Sequence, residues 1–276
     1  MYKYLNPLSD FGFKKIFGEE ANKVILIDFL NALLSKEETG LIKDLKFDNT
    51  ERLGSKFEDK NVIFDIYCEN ERGEKFIVEL QKARQNFFIE RTIYYSTFPI
   101  REQVDKGSKD FNLKAVYCIG ILDFTFKDYG DAEEAKQILH EVKLKDQNGR
   151  IFYDKLTYIY LELPNFTKSE IELETRLDKW LYFIKHLEDL QSIPIIFSND
   201  VVFGTAFQTA EVARFNDAEY KEYQANLKRY RDWVNVIDTV KMDEKARMAR
   251  EFRDQGVDLA IIANVTGLTK SEIEKL

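Results

Sequence analysis

The sequence predicts an α/β fold, a mixed sheet flanked by helices and followed by a helical C-terminal region. Three observations predict it. Residues 61–85, NVIFDIYCENERGEKFIVELQKARQ, carry apolar side chains at every second position on both sides of a turn signal. Residues 113–122, LKAVYCIGIL, are almost continuously apolar, as a central strand covered on both faces is. From Lys168 onward apolar residues recur at helical intervals.

The elements follow in order. Ser9-Asp10 is a cap signal before Phe13, Ile16 and Phe17, which predicts a short helix ending near Gly18 with Lys14 and Lys15 close to its exposed side. Residues 20–35 form a helix whose broad apolar face is interrupted by Asp28. Residues 41–47 and 49–53 read as the first strand and its approach.

The hairpin comes next. Val62, Phe64, Ile66 and Cys68 alternate with Ile63, Asp65, Tyr67 and Glu69, Asn70-Glu71-Arg72-Gly73 supplies the turn, and Glu79 and Gln81 share one face of the second strand. Asp65 is the odd residue. Taken alone, a partly exposed strand face or a lysine partner accounts for it. Two acids and an amide gathered by one hairpin suit a site better.

Residues 85–106 predict a helix on which Phe87, Phe88, Arg91, Tyr94, Tyr95 and Phe98 recur at three- and four-residue intervals, and Pro99 is expected to kink or divide it. The aromatic stripe reads as core. Arg84, Arg91 and Tyr95 fall on one side, and a guanidinium there suits a phosphate. Residues 127–136 read as a charged loop or short helix. Residues 138–144 and 156–163 are strands around the Asn-Gly turn at 146–149, with an intervening strand at 150–153.

Helices are expected over 170–190 and 206–239. In the tail, Ala263, Gly267 and Ile273 have helix-turn-helix spacing, with Ile262, Leu268 and Leu276 as its apolar positions. Its second helix would present Lys270 and Lys275 beside Glu272 and Glu274, a poor face for phosphate, so packing or assembly is the expected role.

Composition narrows the function. The 276 residues carry a net charge of −8, spread unevenly: residues 1–130 hold 20 basic and 22 acidic side chains, and the remainder 21 and 27. Any contact with nucleic acid therefore depends on a local cluster. Only two histidines are present, His140 and His186, which excludes a histidine-rich metal centre and leaves no serine triad near a nucleophile motif. Cys68 and Cys118 sit inside strand-like runs and read as buried thiols in a reducing cytoplasm. No apolar run approaches about 18 residues, and residues 1–16 are polar and basic, so neither a membrane span nor a leader is expected.

Asp65, followed fourteen residues later by Glu79-Leu80-Gln81, resembles the PD-(D/E)XK nuclease signature. The opening NPLSDFGFKKIFG at 6–18 and Arg91-Thr92-Ile93-Tyr94-Tyr95 narrow the resemblance to the Rpn group of recombination-promoting nucleases and transposases. It covers roughly the first 125 residues well and the helical remainder more loosely. It departs from the commonest motif at Phe64, where Pro is usual, and at Gln81, where Lys is commoner. The resemblance implies a restriction-endonuclease-like core over 1–165; the helical spacing that follows reads as a helical region packed on it over 166–254, and the tail as a helix-turn-helix-like hairpin over 255–276.

It further implies a metal-dependent DNA endonuclease acting in recombination, mobile-element or defence settings. Asp65, Glu79 and the Leu80 carbonyl would hold Mg²⁺, with Mn²⁺ or Ca²⁺ as substitutes. Gln81 would orient the attacking water, and Lys14, Arg84, Arg91 and Tyr95 would contact DNA. Asp10 and Asp28 are the further acids implied near the site. A homodimer through the helical C-terminal region would place two sites for a double-strand cut, with no small-molecule cofactor. The competing readings are a regulatory binding module with a vestigial site, and an RNA hydrolase.

Overall fold

The computed structural model describes residues 2–34, 40–52, 62–104, 111–126 and 136–276. Ser9 opens α1 (Asp10–Phe17), its hydroxyl accepting the Gly12 N–H at 3.1 Å, and α1 buries Phe13, Ile16 and Phe17. After one 3₁₀ turn comes α2 (Lys23–Leu33). The strands that follow are β1 (Leu45–Phe47), β2 (Glu51–Arg52), β3 (Val62–Ile63), β4 (Ile66–Asn70) and β5 (Lys75–Gln81).

Next come α3 (Phe88–Glu102), β6 (Val116–Leu122), β7 (Leu139–Lys145) and β8 (Ile151–Glu162). The helices α4 (Arg176–His186), α5 (Val201–Ala210), α6 (Asp217–Asp254), α7 (Leu259–Thr266) and α8 (Lys270–Glu274) complete the chain.

Six strands form one mixed sheet in the order β1-β4-β5-β6-β8-β7. Pairing is antiparallel for β1/β4, β4/β5 and β7/β8, and parallel for β5/β6 and β6/β8. The parallel joins flank β6, and all seven of its residues are buried, as its continuous apolar run requires. The turn after β4 closes with Gly73 N–H on Asn70 O at 3.0 Å, Gly73 taking φ 81°.

α3 lies on one face of the sheet, joining Phe88 and Phe98 to Tyr67, Ile77, Cys118, Tyr158 and Tyr160. Two buried hydroxyl pairs fix it there: Thr92 with Tyr160 and Ser96 with Tyr158, each at 2.8 Å. A second aromatic core centres on fully buried Trp180 of α4, which meets Phe17, Phe29, Phe183 and Phe203.

Several expectations are corrected. The first hairpin strand is broken at Phe64–Asp65, and β2 and β3 form their own two-stranded sheet. Leu53 and Asn61 lie outside the described residues, as does most of 127–136. The helix expected over 85–106 starts at Phe88, because Phe87 takes a left-handed φ of 62° that an α-helix cannot hold. Arg84 is therefore in the preceding loop. That helix runs through Pro99 to Glu102, since a proline in the last turn costs a single ladder bond. β8 is one strand of twelve residues, not two.

The helix expected over 170–190 is confined to α4, which the reciprocal Thr175–Asp178 cap begins. The helix expected over 206–239 is two, because Asn216 Oδ1 takes the N–H groups of Ala218 and Glu219 at 3.0 Å and starts α6 afresh.

The chain forms two compact units, Met1–Tyr220 and Lys221–Leu276. In the second unit Ala249, Ile262, Leu268 and Ile273 make a small core, and Gly267, at φ 71°, ends α7. No helix among the described residues is long and apolar enough to cross a membrane.

Candidate active site

The break between β3 and β4 builds the site. Where β4 stops, the edge of β5 loses its backbone partner, and side chains replace it. The Leu80 N–H donates to Asp65 Oδ2 at 2.9 Å, and the Asp65 N–H donates to Glu79 Oε1 at 3.1 Å. Each acid thus caps the backbone beside the other. Gln81 O accepts the Asp123 N–H at 2.9 Å just beyond β6. Backbone groups of neighbouring strand residues point to opposite sides, so the Leu80 C=O is directed with its N–H toward Asp65.

Positive charge surrounds this pair. Lys14 Nζ stands 3.7 Å from Asp65 Oδ1, and Lys82 Nζ pairs with Asp10 at 2.8 Å, so the first helix is brought to the site's edge. From α3, Arg91 donates through Nη2 to Gln81 Oε1 and through Nη1 to Gln85 Oε1 at 2.6 Å. Its guanidinium carbon lies 5.6 Å from the Phe88 ring centroid and 5.7 Å from that of Tyr95. Gln81 Nε2 donates to Ala83 O at 2.9 Å.

Burial raises the proton affinity of both carboxyls. For Asp65, loss of solvent outweighs the Leu80 N–H and the Lys14 charge, and Asp10 adds to the rise. For Glu79, loss of solvent acts first and the Asp65 charge second, and together they push it up to about 8 against Arg91 and Lys14. The same surroundings, burial foremost and then the Glu79 charge, raise the Tyr95 hydroxyl.

Two partly buried acids, Glu79 raised by burial and by the Asp65 charge and Asp65 by burial and by the Asp10 charge, form a site to which a cation restores balance. The donors fit a hard divalent ion such as Mg²⁺, which binds through one or two carboxylates and keeps several waters. Among the described residues no group of three or more His, Cys, Asp or Glu side chains is placed to hold a metal ion.

The structure thus gathers Asp65, Glu79, Leu80, Gln81, Lys14, Asp10, Arg91 and Tyr95. Asp28 is not brought in; its Oδ2 accepts from Arg176 Nε and Trp180 Nε1, both at 2.7 Å, within the helical core. Arg84 is exposed in the loop before α3, off the helix that carries Arg91. Sequence reading passed over Lys82 and Gln85. Adjacency to the Glu79-Leu80-Gln81 triplet could have flagged Lys82, whereas Gln85 reaches Arg91 only through the Phe87 turn.

A family model described as PD-(D/E)XK nuclease family transposase matches residues 7–240. No curated protein matches the chain, and no solved structure does.

Proposed function

The chain belongs to the PD-(D/E)XK nuclease family transposases, and from that premise we propose that it is a metal-dependent DNA endonuclease with Asp65 and Glu79 at its centre. The observation that carries this reading is the reciprocal lock between the two acids at the β3/β4 break. Asp65, Glu79 and the Leu80 carbonyl are the groups that would hold Mg²⁺. A divalent ion bound there supplies polarisation of a phosphate oxygen and a lowered pKa for a water beside it.

The remaining residues bind and orient. Arg91 presents a guanidinium toward a phosphate, Tyr95 supports that guanidinium from its ring face, and Lys14 neutralises charge at the mouth. Arg84, exposed ahead of α3, contacts the backbone of the duplex farther out. Gln81 has no proton to take or give near neutral pH, so it orients neighbours only. Asp10, paired with Lys82, sits at the rim. A homodimer through the helical C-terminal region would supply two sites for a double-strand cut, in a recombination or mobile-element setting. The buried thiols of Cys68 and Cys118 accord with a reducing cytoplasm.

Supercoiled plasmid nicking tests the reading. Nicking in Mg²⁺ or Mn²⁺, and none in chelator, is the expected result. DNA binding without cleavage in every divalent metal would replace it with a binding module carrying a vestigial site.

A further inference from the structure

The Gln81 amide is already committed. Its oxygen accepts from Arg91, and its nitrogen donates to Ala83 O at 2.9 Å. Turning the amide over would set an NH₂ group against a guanidinium and a carbonyl against a carbonyl, so chemistry fixes its orientation. What Gln81 holds in place is Arg91. That side chain carries high rotamer entropy when loose. Here two glutamine oxygens and two aromatic rings fix it.

Arg91 is nevertheless incompletely satisfied. Its Nε is shut off from solvent and has no acceptor, which is costly for a charged donor. The nearby cations have carboxylate partners: Lys14 faces Asp65, and Lys82 faces Asp10. Arg91 instead has two neutral amides as its hydrogen-bond acceptors and no salt-bridge partner among the described residues, although its charge reaches the Glu79 carboxyl, so it can take an incoming anion without breaking an ion pair.

We infer that Gln81 is a positioning residue that acts through Arg91, and that Arg91 is the phosphate-binding cation of the site. The inference rests on the nuclease reading for the identity of the anion, a phosphate of the DNA backbone. Arg91 as a whole stays partly exposed, and a phosphate oxygen meets its guanidinium from the solvent side. Gln81 itself then touches neither phosphate nor water.

A double-mutant cycle on the full chain decides it, using Gln81→Leu, Arg91→Met and the double variant. Binding to a short duplex is followed by fluorescence anisotropy in EDTA between 50 and 200 mM salt, so that no metal enters the readout. Releasing one immobilised side chain weakens binding by about 3- to 10-fold, the loss expected for Gln81→Leu. Arg91→Met loses more, and it flattens the slope of log K against log salt by about one unit. The double variant binds as Arg91→Met does, and Arg91→Lys restores the slope without the full affinity.

Multiplying losses in the double variant would overturn the inference, as would an Arg91→Met protein with unchanged affinity and slope, or a wild type that does not bind duplex. If Arg91→Met fails to fold, Arg91→Lys with and without Gln81→Leu gives the same cycle. A wild type that binds with this non-additivity but cleaves in no metal would sink the nuclease reading while leaving the Gln81–Arg91 relation standing.

Discussion

At the scale of single residues, the acid pair makes a prediction about pH. The Glu79 carboxyl is raised in the fold from 4.5 to about 8. The folded protein therefore holds its proton more tightly than the unfolded chain does. Stability from this group is fully present below pH 4.5 and is lost as pH rises toward 8, by at most about 1.4 kcal/mol per pH unit for one proton. Chemical denaturation of the metal-free protein between pH 5 and 8 should show this decline, and Glu79→Gln should flatten it. Added Mg²⁺ should oppose the decline, more so at higher pH, because the ligands must be deprotonated to bind. A metal-free wild type whose stability rises over this window would contradict the account.

The same scale shows what the sequence could tell. Asp65 and Glu79 were legible because an acid in an apolar strand is anomalous, and the hairpin brings two together. The fate of Asp28 was not, because its partner Arg176 lies 148 residues away in the chain. Gln81's commitment to Arg91 was equally hidden, since the reach depends on the left-handed turn at Phe87.

Elements impose their own test. Tyr160 anchors α3 through Thr92, and it packs over Gly120, which lies between Glu79 and Tyr160 in the sheet. A Cβ at Gly120 would stand 3.0 Å from Tyr160 Cδ1 and 3.3 Å from Leu122 Cδ2. Gly120→Val should therefore push Tyr160 off Thr92 and destabilise the protein by about 1–3 kcal/mol, read as a lowered denaturation midpoint. No change would mean the α3 anchor yields without cost.

Element types were legible where periodicity was unbroken: β5 and β6 follow their apolar patterns, whereas β8 runs on through the gap expected at 154–155 and the first hairpin strand is interrupted at Phe64–Asp65. Boundaries were missed where a side chain, not hydropathy, sets them. Thr175 and Asp178, Asn216 and Glu219, and Thr269 and Glu272 each start a helix by capping, a signal spread over four residues that apolar spacing does not register.

For the whole molecule, the charge of −8 makes the local cation cluster decisive for DNA binding. The C-terminal hairpin adds little to it. Lys270 and Lys275 are offset by Glu272 and Glu274, so deleting residues 256–276 should change the salt slope of binding by less than about one unit. A much flatter slope would make the tail a DNA reader. Assembly is a separate matter: α7 exposes Ile261 at 57% and Val265 at 55%, one turn apart, while Ile262, Leu268 and Ile273 are already buried in the hairpin's own core. Light scattering should give a dimer mass for the full chain and a smaller mass for Ile261→Lys/Val265→Lys. An unchanged mass would remove this face from the interface.

The central claim is that Asp65 and Glu79 form the cleavage centre. Single-turnover cleavage of an end-labelled duplex in Mg²⁺ or Mn²⁺, comparing wild type with Asp65→Asn and Glu79→Gln, tests it most directly. Both replacements keep the acceptor oxygen that the partner backbone N–H uses, so the fold is retained. Each should cut at least about 100-fold more slowly than wild type while binding the duplex in EDTA as well or better, since a repelling charge has gone. Cleavage by Asp65→Asn at the wild-type rate would contradict the account.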